Sequence, residues 1–357
     1  MTGVDREGVS LEELALAARN HAMPYEALRY DVTPVGLHYL LIHYDIPDVE
    51  VSAFRLSVGG HVETPLELTL DALRAMPSTT LAVTMECAGN GRVLLEPRPV
   101  SQPWLLGAVG NAEWTGVPLC DVLAGAGVRE GAVDVLFTGR DRGVEGDIEQ
   151  AYERSLPLEE AMREDVLLSF EMNGAPLMPQ HGFALRLVVP GWYGMTSVKW
   201  LERVTVLAEP FEGYQMATSY RMRDDPDDPG VPITRIFPRS LMVPPGIPEF
   251  ATRARIARPG THRLEGRAWS GFCRVELVEM STDDGTTWAD AILGPEPASR
   301  FGWRAWSFDW RAEPGEHILC CRATDATGST QPLEPEWNVG GYRNTAVQRV
   351  PVTVRGR

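Results

Sequence analysis

The last third of the chain constrains the fold most, because its apolar residues fall every second position. Cys273, Val275 and Leu277 are separated by Arg274 and Glu276. Trp306, Phe308 and Trp310 are separated by Ser307 and Asp309, and Val350, Val352 and Val354 follow the same rule near the C-terminus. A period of two belongs to strands with one buried face. Such strands at ~8–12-residue spacing, with Asp284-Gly285 as a turn, predict an immunoglobulin-like β-sandwich. Three aromatics in one alternating run exceed what a lone sandwich usually leaves in water, which predicts a twofold dimer. Two breaker clusters precede this region: the acidic, proline-rich 223–230 and Val243-Pro244-Pro245-Gly246-Ile247-Pro248. Together they read as a linker, dividing the chain into domains 1–245 and 246–357.

The first domain is mixed. Residues 10–29 read as a helix with Ser10 as cap and Glu13 completing a capping box, so the first ~30 residues form a helical extension. Strand candidates follow at 54–58, 81–86, 133–137, 166–170, 184–189 and 203–207, with short helices expected at 71–76, 119–124 and 158–162. The class is α+β.

With 357 residues, two domains are the natural reading. No apolar run reaches the ~18 residues of a membrane helix, so no membrane span is expected. The net charge of −16 repels phosphate backbones, so nucleic acid is not an expected partner, and an anionic substrate would need a local positive patch. Five cysteines without CxxC, CxxCH or zinc spacing suggest free thiols in a reducing compartment. The start Met1-Thr2-Gly3-Val4-Asp5-Arg6 has no leader pattern, which predicts a cytoplasmic location.

The chemistry centres on Cys87. It stands where the apolar alternation of Leu81, Val83 and Met85 breaks into Ala88-Gly89-Asn90-Gly91-Arg92. A lone cysteine is usually a buried structural residue. Here the loop offers backbone N–H groups and a cation, both of which favour a thiolate. A soft anionic donor of this kind suits a covalent nucleophile or a soft metal. His181 as a base would make a Cys-His hydrolase, and an inert Cys87 would leave a non-catalytic binding module.

The run Met85-Glu86-Cys87-Ala88-Gly89-Asn90-Gly91-Arg92 resembles the cysteine loop of the sulfite oxidase family of molybdenum enzymes. Further blocks agree in collinear order over residues 35–355: Trp104 to Val109 with Glu113 to Leu119, Phe170 to Gly174, Gln180 to Gly191, and Ser197-Val198-Lys199-Trp200-Leu201. The Asp283 to Trp288 turn and Trp337-Asn338 resemble the family's dimerisation domain. The resemblance implies a molybdopterin-binding catalytic domain, then a sandwich through which the chain forms a homodimer. It implies a molybdenum–molybdopterin cofactor with Cys87 as the protein's metal ligand. Pterin contacts fall on His43, Tyr44, Asp45, Asp141, His181, Arg186, Ser197, Val198 and Lys199. The substrate pocket falls on Arg92, Trp104, Tyr220 and Arg349, with His43 beside them.

Sulfite-oxidising members usually carry arginine-asparagine-histidine where this chain has His43-Tyr44-Asp45, so a fixed cation is exchanged for a titratable one. No haem-attachment motif or haem module is visible, which implies a separate electron-transfer partner. The expected activity is two-electron oxo transfer on a small oxyanion, sulfite to sulfate. Reduction of nitrate or an S- or N-oxide with the same cofactor is the alternative.

Overall fold

A computed structural model describes residues 8–356; the Met1 to Arg6 start read above lies outside them. The expected N-terminal helix stops halfway. Ser10 and Glu13 form the capping box, with Glu13 N–H donating to Ser10 Oγ (3.2 Å) and Ser10 N–H to the Glu13 carboxylate (2.9 Å), but the helix covers only Leu11–Arg19. Pro24 lacks an N–H and disfavours a helical Met23, so the chain leaves as extended backbone, His21 pairs with Leu40, and a 3₁₀ turn takes Tyr25–Arg29.

Two sheets build the catalytic domain. One is mixed, in the order Leu66–Leu68, Leu56–Gly60, Leu201–Leu207, Asp134–Glu145, Ile148–Pro157, with one parallel pair, Leu56–Gly60 beside Leu201–Leu207. The other joins Thr79–Glu86, Val109–Pro118 and Leu167–Met172, the last flanked by Ala175–Pro176 and Arg186–Val188. Helices Leu70–Arg74, Leu119–Ala126 and Leu158–Ala161 pack into the core, burying Leu73, Leu123 and Ala161. Strands that read as apolar on both faces, such as Leu167–Met172, are covered on both sides.

The acidic 223–230 stretch is the tip of a hairpin between Arg221–Met222 and Val231–Pro232 rather than a linker. Arg221 holds it shut by donating to the carbonyls of Pro229 and Gly230. The sandwich begins ahead of residue 246, since Arg239–Met242 already pairs with Gly260–Trp269. That sheet continues through Arg304–Ala312 to Ile292–Leu293. The facing sheet runs Ile247–Pro248, Arg255–Ala257, Gln348–Val354, Gly315–Asp325, Val275–Ser281, Ala289–Asp290. An irregularity between Val275 and Leu277 breaks the expected alternation, and Val278 and Met280 take over the buried face. Trp306 and Trp310 are 3% and 4% exposed inside the sandwich, with Phe308 packed against the same core. The aromatic run therefore fills the domain's own interior and does not argue for a dimer.

The second domain also reaches back to the first. Arg343 N–H donates to the Ala88 carbonyl (2.7 Å) and Asn344 Nδ2 to the Gly91 carbonyl (2.8 Å), so 337–344 lies over the Cys87 loop.

Candidate active site

Cys87 follows the last residue of strand Thr79–Glu86, where pairing with Val109–Pro118 ends. Its N–H still donates to Ala108 (2.9 Å), and the Asn90 and Arg92 N–H groups turn back onto Cys87 and Gly89 carbonyls (3.0 Å each). One glycine of the loop is required and the other leaves room for Arg92. Gly91 sits at φ 85, and a side chain on Gly89 would meet the Arg92 guanidinium at 2.7 Å. Asn90, 1% exposed, locks the loop: its Nδ2 donates to Glu86 (2.9 Å) and its Oδ1 accepts from Ala108 N–H (3.0 Å).

Glu86 is clamped in turn by the second domain. Arg239 Nε lies 2.8 Å from one carboxylate oxygen, and Trp269 Nε1 donates to the other at 2.8 Å. Glu86 and Arg239 are each 1% exposed. Sequence reading missed this clamp, because Glu86 falls on the polar phase of the strand with Thr84, where an acidic residue gives no signal.

The Cys87 thiol faces a narrow cleft between the two sheets, walled by Tyr39, Met85, Tyr152 and Met195. Burial raises its pKa, while the Arg92 charge, the Gly89 amide and the Trp104 indole pull it back. His43, Asp141, His181, Arg186, Ser197 and Lys199 line the same cleft. Sequence-distant segments thus converge on one cleft.

Arg186 is 4% exposed, with Nη1 donating to the His181 carbonyl (3.0 Å) and Nη2 to Ser197 (3.1 Å). Burial lowers it to about 10. Lys199 donates to Leu41 (2.7 Å) and Gln180 (3.1 Å) carbonyls, and burial beside Arg186 brings it to about 7. Neither shows an ion pair among the described residues. Asp141 is buried and lifted to about 7 by desolvation, against the pull of Lys199; its Oδ1 has no hydrogen-bond partner among the described residues. His181 and the neighbouring His38, which the sequence reading did not single out, are pushed by burial to about 2 and about 4. Both are neutral, and His38 Nε2 is also unpartnered.

Four expected contacts stand differently. Ser197 Oγ accepts from Val189 N–H (3.1 Å), so its hydroxyl braces the wall. Val198 is 0% exposed in the core, facing away from the cleft. Tyr44 donates to Glu145 (3.1 Å) behind the wall, and the Asp45 carboxylate is in solvent, 3.5 Å from Arg19.

On the substrate side, Arg92 is 5% exposed, donates to the Gly340 carbonyl (2.9 Å), and lies 4.9 Å from the Tyr342 ring centre. The buried Trp104 indole N–H acts on the Cys87 thiol and makes no well-formed hydrogen bond among the described residues. Tyr220, at φ 53, aims its hydroxyl at His43 Nε2 (2.5 Å). Burial, with Lys199 and Arg154 nearby, lowers His43 to about 3, so it is neutral where a titrating cation was expected. Arg349 does not line the cleft. Its guanidinium pairs with Asp284 (2.7 Å) and Glu334 (2.5 Å) on the sandwich. The cation that sequence reading missed is Arg154, beneath the Tyr220 ring at 5.4 Å.

These residues can hold a polar, anionic group. Two unpartnered polar atoms (His38 Nε2 and Asp141 Oδ1) line the space around Cys87 together with Arg186 and Lys199, neither of them in an ion pair among the described residues. Among the described residues no three His, Cys, Asp or Glu side chains cluster as metal ligands. A metal at Cys87 would draw its other ligands from a bound group, as a dithiolene pterin provides.

A model of the oxidoreductase molybdopterin binding domain matches residues 43–215, and one of the Mo-co oxidoreductase dimerisation domain matches 240–355. Mitochondrial sulfite oxidase of Rattus norvegicus is 35% identical over 348 residues, covering 90% of this chain and 62% of that protein. The chain thus spans less than two thirds of the mammalian relatives. Sulfite oxidase of Arabidopsis thaliana is 32% identical over 350 residues, covering 89% of this chain and 87% of its own. NADH nitrate reductase of Solanum lycopersicum is 32% identical over 353 residues, covering 90% of this chain and 38% of that protein. Among solved structures, the sulfane dehydrogenase SoxCD of Paracoccus pantotrophus superposes with TM-score 0.79 at 26% identity, covering 100% of this chain and 96% of that one.

Proposed function

The chain belongs to the sulfite oxidase family of molybdopterin-dependent oxidoreductases, and from that premise we propose that it oxidises sulfite to sulfate and passes two electrons to a separate acceptor. The observation that carries this reading is Cys87, a buried thiol opening into a cleft lined by Arg186 and Lys199, neither of them held in an ion pair among the described residues. When bound, the molybdenum–pterin group supplies two-electron oxo transfer. Cys87 contributes an anionic sulfur ligand, made available by Arg92, the Gly89 amide and Trp104. Arg186 and Lys199 would hold the anionic part of the bound group, and neutral His181 and His38 would offer it donor and acceptor nitrogens. Asp141 takes or gives a proton near neutrality. Tyr220, held by His43, presents a hydroxyl toward the substrate side, and Arg92 sets positive charge beside it.

The second domain's match supports a homodimer. The five cysteines, all free, support a reducing, cytoplasmic setting. The test is metal analysis of the purified protein followed by sulfite-dependent reduction of an artificial one-electron acceptor. About one molybdenum per chain with sulfite turnover is expected, as one ligating thiol implies. A loaded protein that ignores sulfite but reduces nitrate would assign the chain to the reductive direction.

A further inference from the structure

We propose that Arg154 is the charge that makes this site select anions, acting with Arg92 from opposite ends of a row of tyrosines. The inference rests on the sulfite reading for its substrate, but concerns a residue outside the residues matched to the family's pocket. Arg154 lies on strand Ile148–Pro157 and is 1% exposed. Arg239 and Arg267, buried comparably, pair with Glu86 and Asp31 at 2.8 and 2.9 Å. Arg154 has no carboxylate partner among the described residues. One Nη donates to the Gln215 carbonyl, and Nε is buried without a partner.

A desolvated guanidinium without a counter-charge is strongly unfavourable and persists where something else supplies the anion. Its surroundings point toward the reaction centre. Arg154 lies 5.4 Å from the Tyr220 ring, Tyr220 lies 5.2 Å from Tyr342, and Arg92 lies 4.9 Å from Tyr342. Both tyrosines are within electrostatic reach of Cys87. His43, neutral and bonded to Tyr220, adds no charge. Arg349, the expected second cation, is neutralised on the sandwich. In a low-dielectric wall, two fixed charges favour a small oxyanion over a neutral molecule of equal size, and salt screens them little.

The probe is sulfate, titrated calorimetrically into the purified holoenzyme. The variants are Arg154→Met, which keeps bulk and removes charge, and Arg154→Lys, which keeps charge. Sulfate affinity should fall at least tenfold in Arg154→Met and stay within about threefold of wild type in Arg154→Lys. Sulfite KM should rise with sulfate Kd while kcat changes less. Unchanged affinity in Arg154→Met overturns the proposal. So does an equal loss in both variants, which would mean that only the Gln215 bond matters. Should Arg154→Met fail to fold, the wild type decides: sulfate must outcompete its neutral isostere dimethyl sulfone by at least about tenfold, and equal binding refutes a charge-selective site. Sulfate binding that depends on Arg154 without sulfite turnover would overturn the proposed function alone. Turnover with sulfate binding indifferent to Arg154 would overturn this inference alone.

Discussion

The Glu86–Arg239 pair makes a quantitative prediction because it is dry, close and directly beside Cys87, the proposed metal ligand. At an effective dielectric of about 20, unit charges 2.8 Å apart attract by roughly 6 kcal/mol. Desolvation of both ions opposes this, so the pair's net contribution is small, whereas deleting either partner leaves a lone buried ion and costs about 3–5 kcal/mol. Arg239→Met and Glu86→Leu should each destabilise by that amount. In the double variant no charge remains; the deficit is the Trp269 indole, the Asn90 amide and the Asn344 carbonyl left without partners. At about 1–3 kcal/mol per unsatisfied group, partly relieved by repacking, the double variant should cost little more than one single. Coupling of about 3–5 kcal/mol is therefore expected in a double-mutant cycle from urea unfolding. Because Glu86 also holds Asn90, both singles should retain less molybdenum after dialysis than wild type. Single costs that add within about 0.5 kcal/mol would refute the argument, showing that the two charges do not stabilise one another.

Cys87→Ser should remove molybdenum and sulfite turnover together while leaving the circular dichroism spectrum unchanged, since a hydroxyl is a harder and less acidic donor; full metal content in the variant would count against Cys87 as ligand. Asp141, raised in the folded state from its ordinary 3.8 to about 7, binds its proton more tightly folded than unfolded, so it lowers stability as pH rises from about 4 to 7. Asp141→Asn should abolish this fall, worth about 3–5 kcal/mol, in melting curves of metal-free protein, and parallel curves for both forms would dismiss the shift. His43 stays neutral at every working pH, so sulfate inhibition should show no step near pH ~6.5 in wild type, and a step lost in His43→Gln would show that it titrates. Light scattering should report a dimer at micromolar concentration, and a monomer would overturn the homodimer reading.

The domain order and the strand-to-loop break at Cys87 were legible in the sequence because they depend on local pattern, whereas the residues assigned to the cleft came from the family resemblance. Alternation along Thr79–Glu86 fixes where the strand ends, and glycines at 89 and 91 allow the turn that exposes the thiol. Legibility ended where a side chain's surroundings come from distant segments. Trp306 and Trp310 alternate as a surface stripe would, yet only the opposing sheet decides that they face inward. Arg349 alternates with Gln348 and Val350 on its strand, and no local signal tells that Asp284 and Glu334 await it. Its placement near the metal rested on counting from Trp337, across a segment that folds over the Cys87 loop before its strand leaves for the sandwich.

Arg154 shows the converse. It shares one face of its strand with the buried Tyr152 and Leu156, so an arginine stands at an apolar register position. Local pattern treats such a residue as noise, because long charged side chains usually reach solvent from the edge of an apolar face. Here escape is closed, since Tyr220 covers the guanidinium, His43 braces Tyr220, and the segment carrying Tyr342 closes in from the second domain. For a chain of net charge −16 this burial has a consequence. The acidic exterior repels small anions at long range, so selection for them must come from charges that solvent and salt do not reach. Arg92 and Arg186, with Arg154 behind the Tyr220 ring, are each at most 5% exposed and meet that requirement where an exposed arginine would not.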